Sequence, residues 1–377
     1  MSPFARKISA SILAGLFALT TLASTGWAKE YIYGSWNSPK NVVLSKGIVP
    51  YLKRVEKASG GSMTWKVLAG AQLFGGRATL GGIRTKIADA GGPVIPAFTR
   101  KELRAANVVY DLVNASLSPV VMAGAVSETY HLDCPECKND FHKNNTVFIA
   151  NYSSPRFNFL CRKPIKSLAD IKGRKIRVVG AFGRFIKNNG GVPVGGSPAK
   201  AVQALQRGRL DCMFGPISWL QSFGMWGITD FVFDADFALQ PTPSSMVINR
   251  DVWKGLSRSD KMALIREAPL LVAQVTINGY MTEDREVRAE AKRRGVSIVK
   301  AGAATLRALE QHKRTELTMV PSVAKKEGVP TAARIVKAHL KNVAKWEKIH
   351  ATIGNDPQKF ADALWREVFS KLDPDRM

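Results

Sequence analysis

From Glu30 the segment EYIYGSW alternates apolar and polar side chains before breaking at Gly34-Ser35-Trp36, which predicts a short strand and a turn. KNVVLSKGIVPYLKRVEKAS then spaces its apolar residues at about 3.6 and stops at Gly60-Gly61, which predicts a helix with a glycine end. SMTWKVL alternates again, and it leads through the glycine-rich AGAQLFGGR into a weak helix, ATLGGIRTKIAD, and a strand-like AGGPVIPAF. The rhythm repeats further on. NTVFIANYS, FNFLCR, KIRVVG and LDCMFGP predict strands, while FGRFIKNNG and SPAKAVQALQRG predict helices, the second with Ser197 as N-cap. PSSMVINRDVW returns in extended form. A long helical stretch opens at Ser257, with Asp260 three residues on, and runs to KRRG; further helices continue to DPQKFADALWREVFSKL. The pattern predicts an α/β protein: two strand–helix units with mostly parallel sheets covered by helices, then a helical C-terminal tail.

The start of the chain does not fit this rhythm. Arg6 and Lys7 precede the apolar ISASILAGLFALTTLAS, and small residues lead up to Ala28. This is the layout of a secretory signal, residues 1–28, cleaved after Ala28. The apolar run is too short for a stable membrane span, and no later stretch reaches spanning length, so export without a membrane span of its own is expected. The 377 residues carry a formal net charge of +25, of which Arg6 and Lys7 supply two. The remaining basic residues are scattered over helix surfaces, as in EDREVRAEAKRRG, rather than gathered in a nucleic-acid motif. The surplus therefore points to anionic small molecules rather than to nucleic acid.

The four cysteines, Cys134, Cys137, Cys161 and Cys212, allow three disulfide pairings in an oxidising compartment. His131 and His142 flank the first two, so a zinc site built from that segment is the alternative, although the spacing is not that of a standard finger. Three further histidines lie in the helical tail. The sequence has no G-x-S-x-G, no phosphate-binding loop and no H-E-x-x-H, and no catalytic residue, cofactor or metal is expected.

Within SLADIKGRKIRVVGAF, Ile176 and Val178 alternate with Lys175 and Arg177, placing a guanidinium beside apolar walls. Arginine does not shed its proton, so a buried one requires a partner, whether an internal acid such as Asp170 or Asp211 or a visiting anion. The run SLADIKGRKIRVVG, Gly191-Val192-Pro193-Val194 and Ala204-Leu205-Gln206 through Asp211 resembles the extracytoplasmic solute receptors of TRAP transporters, in the dicarboxylate-binding, DctP-type branch. VEKASGGSMTWKVLAGAQLFGG resembles the N-terminal part of the same family.

That resemblance implies a two-domain periplasmic-binding-protein clamshell whose domains are discontinuous: residues 29–153 plus 243–282 for domain I, and 154–242 plus 283–377 for domain II. It also implies a periplasmic receptor that captures a small carboxylate and passes it to TRAP membrane permease subunits. A sensing module for a signalling partner, or an enzyme on the same scaffold, is the alternative. In the family the anchor is the arginine of the KIR strand, here Arg177; Arg156 stands where a second arginine often reaches the same carboxylate, with Arg162 as the surface alternative. Gly75, Gly76 and Gly215 replace polar or acidic residues of sugar-acid receptors, which argues against a hydroxyl-rich ligand. Trp36, Phe214, Trp219 and Phe237 are the candidate aromatic walls, and Gln72 the candidate hydrogen-bonding side chain.

Overall fold

A computed structural model describes residues 29–235, 237–241 and 243–377; the expected signal segment, 1–28, lies outside them. Eleven strands form two sheets. The first contains β1 (Lys29–Gly34), β2 (Met63–Leu68), β3 (Ala90–Gly91) and β4 (Thr146–Asn151). The second is built from β5 (Asn158–Cys161), β6 (Lys175–Arg177), β7 (Val192–Val194), β8 (Cys212–Gly215) and β9 (Phe231–Asp234). The chain then returns to the first sheet with β10 (Ser244–Asn249) and adds β11 (Ser297–Lys300) to the second. The orders are β2-β1-β3-β10-β4 and β11-β9-β5-β8-β6-β7.

Neither sheet is as parallel as expected. β10 inserts antiparallel between β3 and β4, and β5 runs antiparallel to both β8 and β9. Both exceptions are strands that enter or leave a sheet where the chain crosses between sheets, a relation that local alternation does not encode. Two of the crossings, 152–157 and 237–241, run side by side. Ser154 N–H donates to the Gln240 carbonyl at 3.1 Å, and Ser154 Oγ accepts from Gln240 N–H at 2.8 Å. Phe157 N–H donates to Ala238 O at 2.6 Å. A paired ribbon thus joins the two domains.

Helix signals behave as their chemistry demands in most places. The first helix runs as a wide turn, Val43–Ile48, followed by Val49–Ala58, and ends on Gly60 and Gly61, both at positive φ. Ser257 caps Arg258–Ala273 by accepting from Asp260 N–H. Ser197 occupies the N-cap position of Pro198–Gln206, but its side chain makes no capping hydrogen bond there. The long predicted stretch after Ser257 is three pieces: Arg258–Ala273, a wide turn Gln274–Met281, and Thr282–Arg293.

The C-terminal helices depart from the expected assignment of all of 283–377 to the second domain. Thr282–Arg293 packs toward the second sheet, with Val287 and Ala291 buried in its core. The helix Ala303–Lys326 spans both domains: Leu309 packs with the second-sheet core, while Val320 and Ala324 pack with the first. Its flanks are tied the same way. Arg184 of the second domain pairs with Glu316, and Arg100 of the first reaches Glu327, its Nη2 2.9 Å from Oε2. Ala332–Ile353 and Pro357–Glu367 then bury Trp346, Phe360 and Leu364 in the first-domain core. The apolar faces of these helices match the first domain, which overrides their position in the chain. No described helix is long and apolar enough to cross a membrane.

Candidate functional site

β6 lies between β7 and β8, so the side chain of Arg177 at its end is walled on both sides. Only 2% of the residue is exposed. Nε and Nη2 both donate to the Gly196 carbonyl, at 2.9 and 2.8 Å, and the guanidinium carbon lies 5.3 Å from the Trp219 ring centre. Gly196 holds φ at +145, a conformation suited to glycine. One edge of the planar guanidinium is thereby consumed, and the end edge, formed by Nη1 and the second Nη2 hydrogen, remains. Either edge of a guanidinium can meet a carboxylate through two parallel hydrogen bonds, and the end edge keeps that capacity.

Among the described residues no carboxylate pairs with Arg177. The two internal candidates are engaged elsewhere: Asp170 Oδ2 accepts from the backbone of Lys166 and Ser167, and Asp211 Oδ2 accepts from Lys175 N–H at 2.8 Å. Burial consequently pushes Arg177 down to about 10, with the neighbouring Tyr110 acting weakly the other way. Tyr110 itself is held neutral, raised to about 12 chiefly by burial, and its hydroxyl accepts from Gln240 Nε2 at 2.9 Å. A cation desolvated without a counter-charge is an unfavourable element of the fold on its own.

The cavity onto which Arg177 opens lies between the domains. Trp36, Ile95 and Phe98 come from the first domain, and Phe157, Trp219 and Phe223 from the second. Tyr152, Gln240 and Tyr280 line it from the connecting segments, with the two tyrosine rings stacked at 5.5 Å. It is narrow, leaving about 30 Å³ for the centre of a water-sized molecule. Trp36 is oriented by its indole N–H, which donates to the Pro93 carbonyl at 2.9 Å. Gly76 makes room for this wall: a Cβ there would fall 3.3 Å from both Trp36 and Phe98.

Of the residues singled out from the sequence, Arg177, Trp36 and Trp219 meet in this cavity. Gly215 lies directly beneath the Trp219 ring and leaves it the space it occupies. Phe214 stands one layer back, stacked on Phe182 at 4.2 Å and edge-on to Phe157 at 5.2 Å. Phe237 is core: it is fully buried against Phe159, 4.6 Å away. Arg156 is exposed and does not line the cavity; its Nε donates to the Leu117 carbonyl at 3.0 Å. Gln72 is likewise exposed and outside the lining. Tyr152, Gln240 and Tyr280 were missed. Tyr152 and Gln240 sit on crossing segments and Tyr280 on the wide turn Gln274–Met281, none of which carries a motif of its own.

The cysteines form two disulfides, Cys134–Cys137 and Cys161–Cys212, the latter joining directly opposed positions of β5 and β8. His131 Nε2 is engaged with the Ile149 carbonyl at 3.1 Å, and among the described residues no cluster of His, Cys, Asp or Glu is arranged to hold a metal.

Solved structures share this architecture. A marine metagenome TRAP solute-binding protein specific for aromatic acids, in complex with metahydroxyphenylacetate, matches with a TM-score of 0.75 at 18% identity, over 84% of this chain and 99% of that one. A Rhodoferax ferrireducens TRAP solute-binding protein with copurified benzoate matches at 0.73 and 18% identity, over 85% and 99%. A Bordetella bronchiseptica TRAP periplasmic solute-binding protein with bound (R)- and (S)-mandelate matches at 0.68 and 21%, over 84% and 99%. Residues 34–318, most of the chain, match the DctP family described as bacterial extracellular solute-binding protein, family 7, and the chain belongs to that family.

Proposed function

We propose that the protein is the solute receptor of a TRAP transporter and that it captures a small organic acid between its domains. The observation that carries the reading is Arg177: buried, unpaired with any described carboxylate, and lining an interdomain cavity. A ligand carboxylate supplies the missing charge through a bidentate contact that lysine does not reproduce. Trp36, Phe98, Phe157 and Trp219 favour a flat apolar body, an arylcarboxylate above all, over a hydroxyl-rich sugar acid. The benzoate, mandelate and hydroxyphenylacetate held by the related structures are acids of this kind.

The narrowness of the cavity requires the domains to part before such an acid enters and to close again upon it. The acid favours closure only by the difference in its affinity for the two forms. The closed receptor then presents the acid to membrane permease subunits, in a periplasm reached through the cleaved leader. Binding occurs without turnover.

A thermal-unfolding screen of the mature protein against benzoate, mandelate, hydroxyphenylacetates, short dicarboxylates and sugar acids tests this. The cognate acid at a hundred times its Kd adds about 2.7 kcal/mol of stability and is recovered unchanged after incubation. If no carboxylate raises the unfolding temperature, or if the acid is converted, the reading fails.

A further inference from the structure

The first domain carries a second hollow that shares no lining residue with the interdomain cavity. It opens beside the edge strand β4, between the turn Thr129–Asp133, the helix Pro135–Lys143 and the segment from Lys371 to Met377. It leaves about 240 Å³ for the centre of a water-sized molecule, against about 30 Å³ between the domains. The floor is aromatic. Tyr130 meets Phe148 edge-on at 5.1 Å and Phe141 at 6.2 Å, and Phe148 lies 5.5 Å from Phe141. His131 closes the floor 4.8 Å from Phe148, and because its Nε2 faces the Ile149 carbonyl, that nitrogen carries the proton. Burial holds this ring neutral.

The mouth is basic. Lys138, His142, Lys371 and Arg376 line it, with Asp373 the one acid among the lining residues. Arg250 and Lys254 stand close enough to depress His142 further, after burial. Lys371 and Arg376 have acidic neighbours in Glu367 and Asp373, but Lys138 is in no ion pair among the described residues. Burial, then Arg376, holds the Lys138 ammonium below its usual range. The wall bearing Lys138 is pinned at its N-terminus by the Cys134–Cys137 disulfide, and Cys137 lines the hollow. An apolar pit whose mouth carries Lys138, Lys371 and Arg376 against the single acid Asp373 is complementary to one kind of small molecule: a hydrocarbon body with a single anionic head.

We propose that this hollow is a second ligand site, for a hydrophobic carboxylate whose body lies on Tyr130, Phe141 and Phe148 and whose head is met by Lys138 and Arg376. The proposal stands independently of the interdomain reading. Anilinonaphthalene sulfonate fluorescence on the mature protein, displaced by decanoate or by naphthoate, provides the measurement; whichever acid displaces at lower concentration identifies the body as alkyl or aryl. Lys138→Glu weakens displacement tenfold or more, and Leu132→Trp, a change at an exposed position of the mouth, blocks it, while both variants keep the parent unfolding temperature in the absence of ligand. Arg177→Ala leaves this binding unchanged. Displacement unaltered in both Lys138→Glu and Leu132→Trp, or lost in Arg177→Ala, overturns the proposal, the last result placing the dye between the domains instead.

Discussion

Trp219 rests on Gly215: the indole fills the space into which a Cβ at that position would project. The same indole lies against the Arg177 guanidinium, so the absence of a side chain at Gly215 sets the height of the cavity wall. Gly215→Ala therefore lifts Trp219 toward the ligand space. Overpacking of this kind costs about 1–3 kcal/mol, and the expected outcome is at least a tenfold loss of carboxylate affinity with a changed tryptophan emission. Titration calorimetry and fluorescence check it; unchanged affinity would mean that the wall adapts freely.

Arg177 separates binding from stability. Arg177→Lys keeps a charge but loses the fork, and leaving such a contact half-made costs on the order of 2–5 kcal/mol, about 30- to 3,000-fold in affinity. Arg177→Met abolishes binding altogether. In the absence of ligand, however, it removes an uncompensated buried cation and retains the volume, so its unfolding temperature is equal to or above that of the parent. A ligand-free Arg177→Met protein that is markedly less stable would contradict the account of this site.

Buried histidines are expected to lower stability in acid. Burial lowers His339 to about 3 and His131 to about 4, while burial and nearby cations lower His142 to about 4. The unfolded chain takes up these protons near 6.5 and the folded one only well below, so the stabilisation from their neutral forms is full above 6.5 and lost as pH falls toward 3. Glu283 acts in the opposite sense: burial and its acidic neighbours raise it to about 7, so its contribution is full below 4.5 and lost as pH rises through 7. His131 and His339 each contribute a slope of up to about 1.4 kcal/mol per pH unit. His339→Gln flattens the fall between pH 6.5 and 4, as read by denaturant unfolding across that range; an unchanged slope would show that His339 does not titrate this way.

The two disulfides differ in reach. Cys161–Cys212 closes a separation of 51 residues and Cys134–Cys137 one of 3. On the chain-entropy account the first is worth about 4 kcal/mol and the second less than half of that. The paired Ser variants, compared by urea unfolding, are expected to rank in that order, and a larger loss at Cys134–Cys137 would point to strong packing around the short loop.

Much of this architecture was written in local pattern. β1, β2 and the cap at Ser257 follow directly from alternation and capping chemistry. The helix Pro119–Glu128 left no such trace: every residue in it is buried, so it has no polar face and hence no period to detect. Strand order was equally hidden, since the antiparallel insertion of β10 depends on which segments cross between domains. At the site, Arg177 was legible because a guanidinium in an apolar strand demands explanation. Phe214 and Phe237 lie in the core; an aromatic side chain at a strand end serves core and cavity equally well, and only packing decides. Arg156 fell on the ribbon between domains, where its Nε donates to the Leu117 carbonyl, a partner that spacing in the sequence does not reveal.

The helix Ala303–Lys326 has one interior proline, Pro321, flanked by Val320 and Ala324, which both pack in the first-domain core. A proline donates no hydrogen bond back along the helix, so this is its weakest point in bending. Leu309 and Glu316 fasten the N-terminal part of the same helix to the second domain, so the two bodies are linked by this rod as well as by the ribbon of paired crossings.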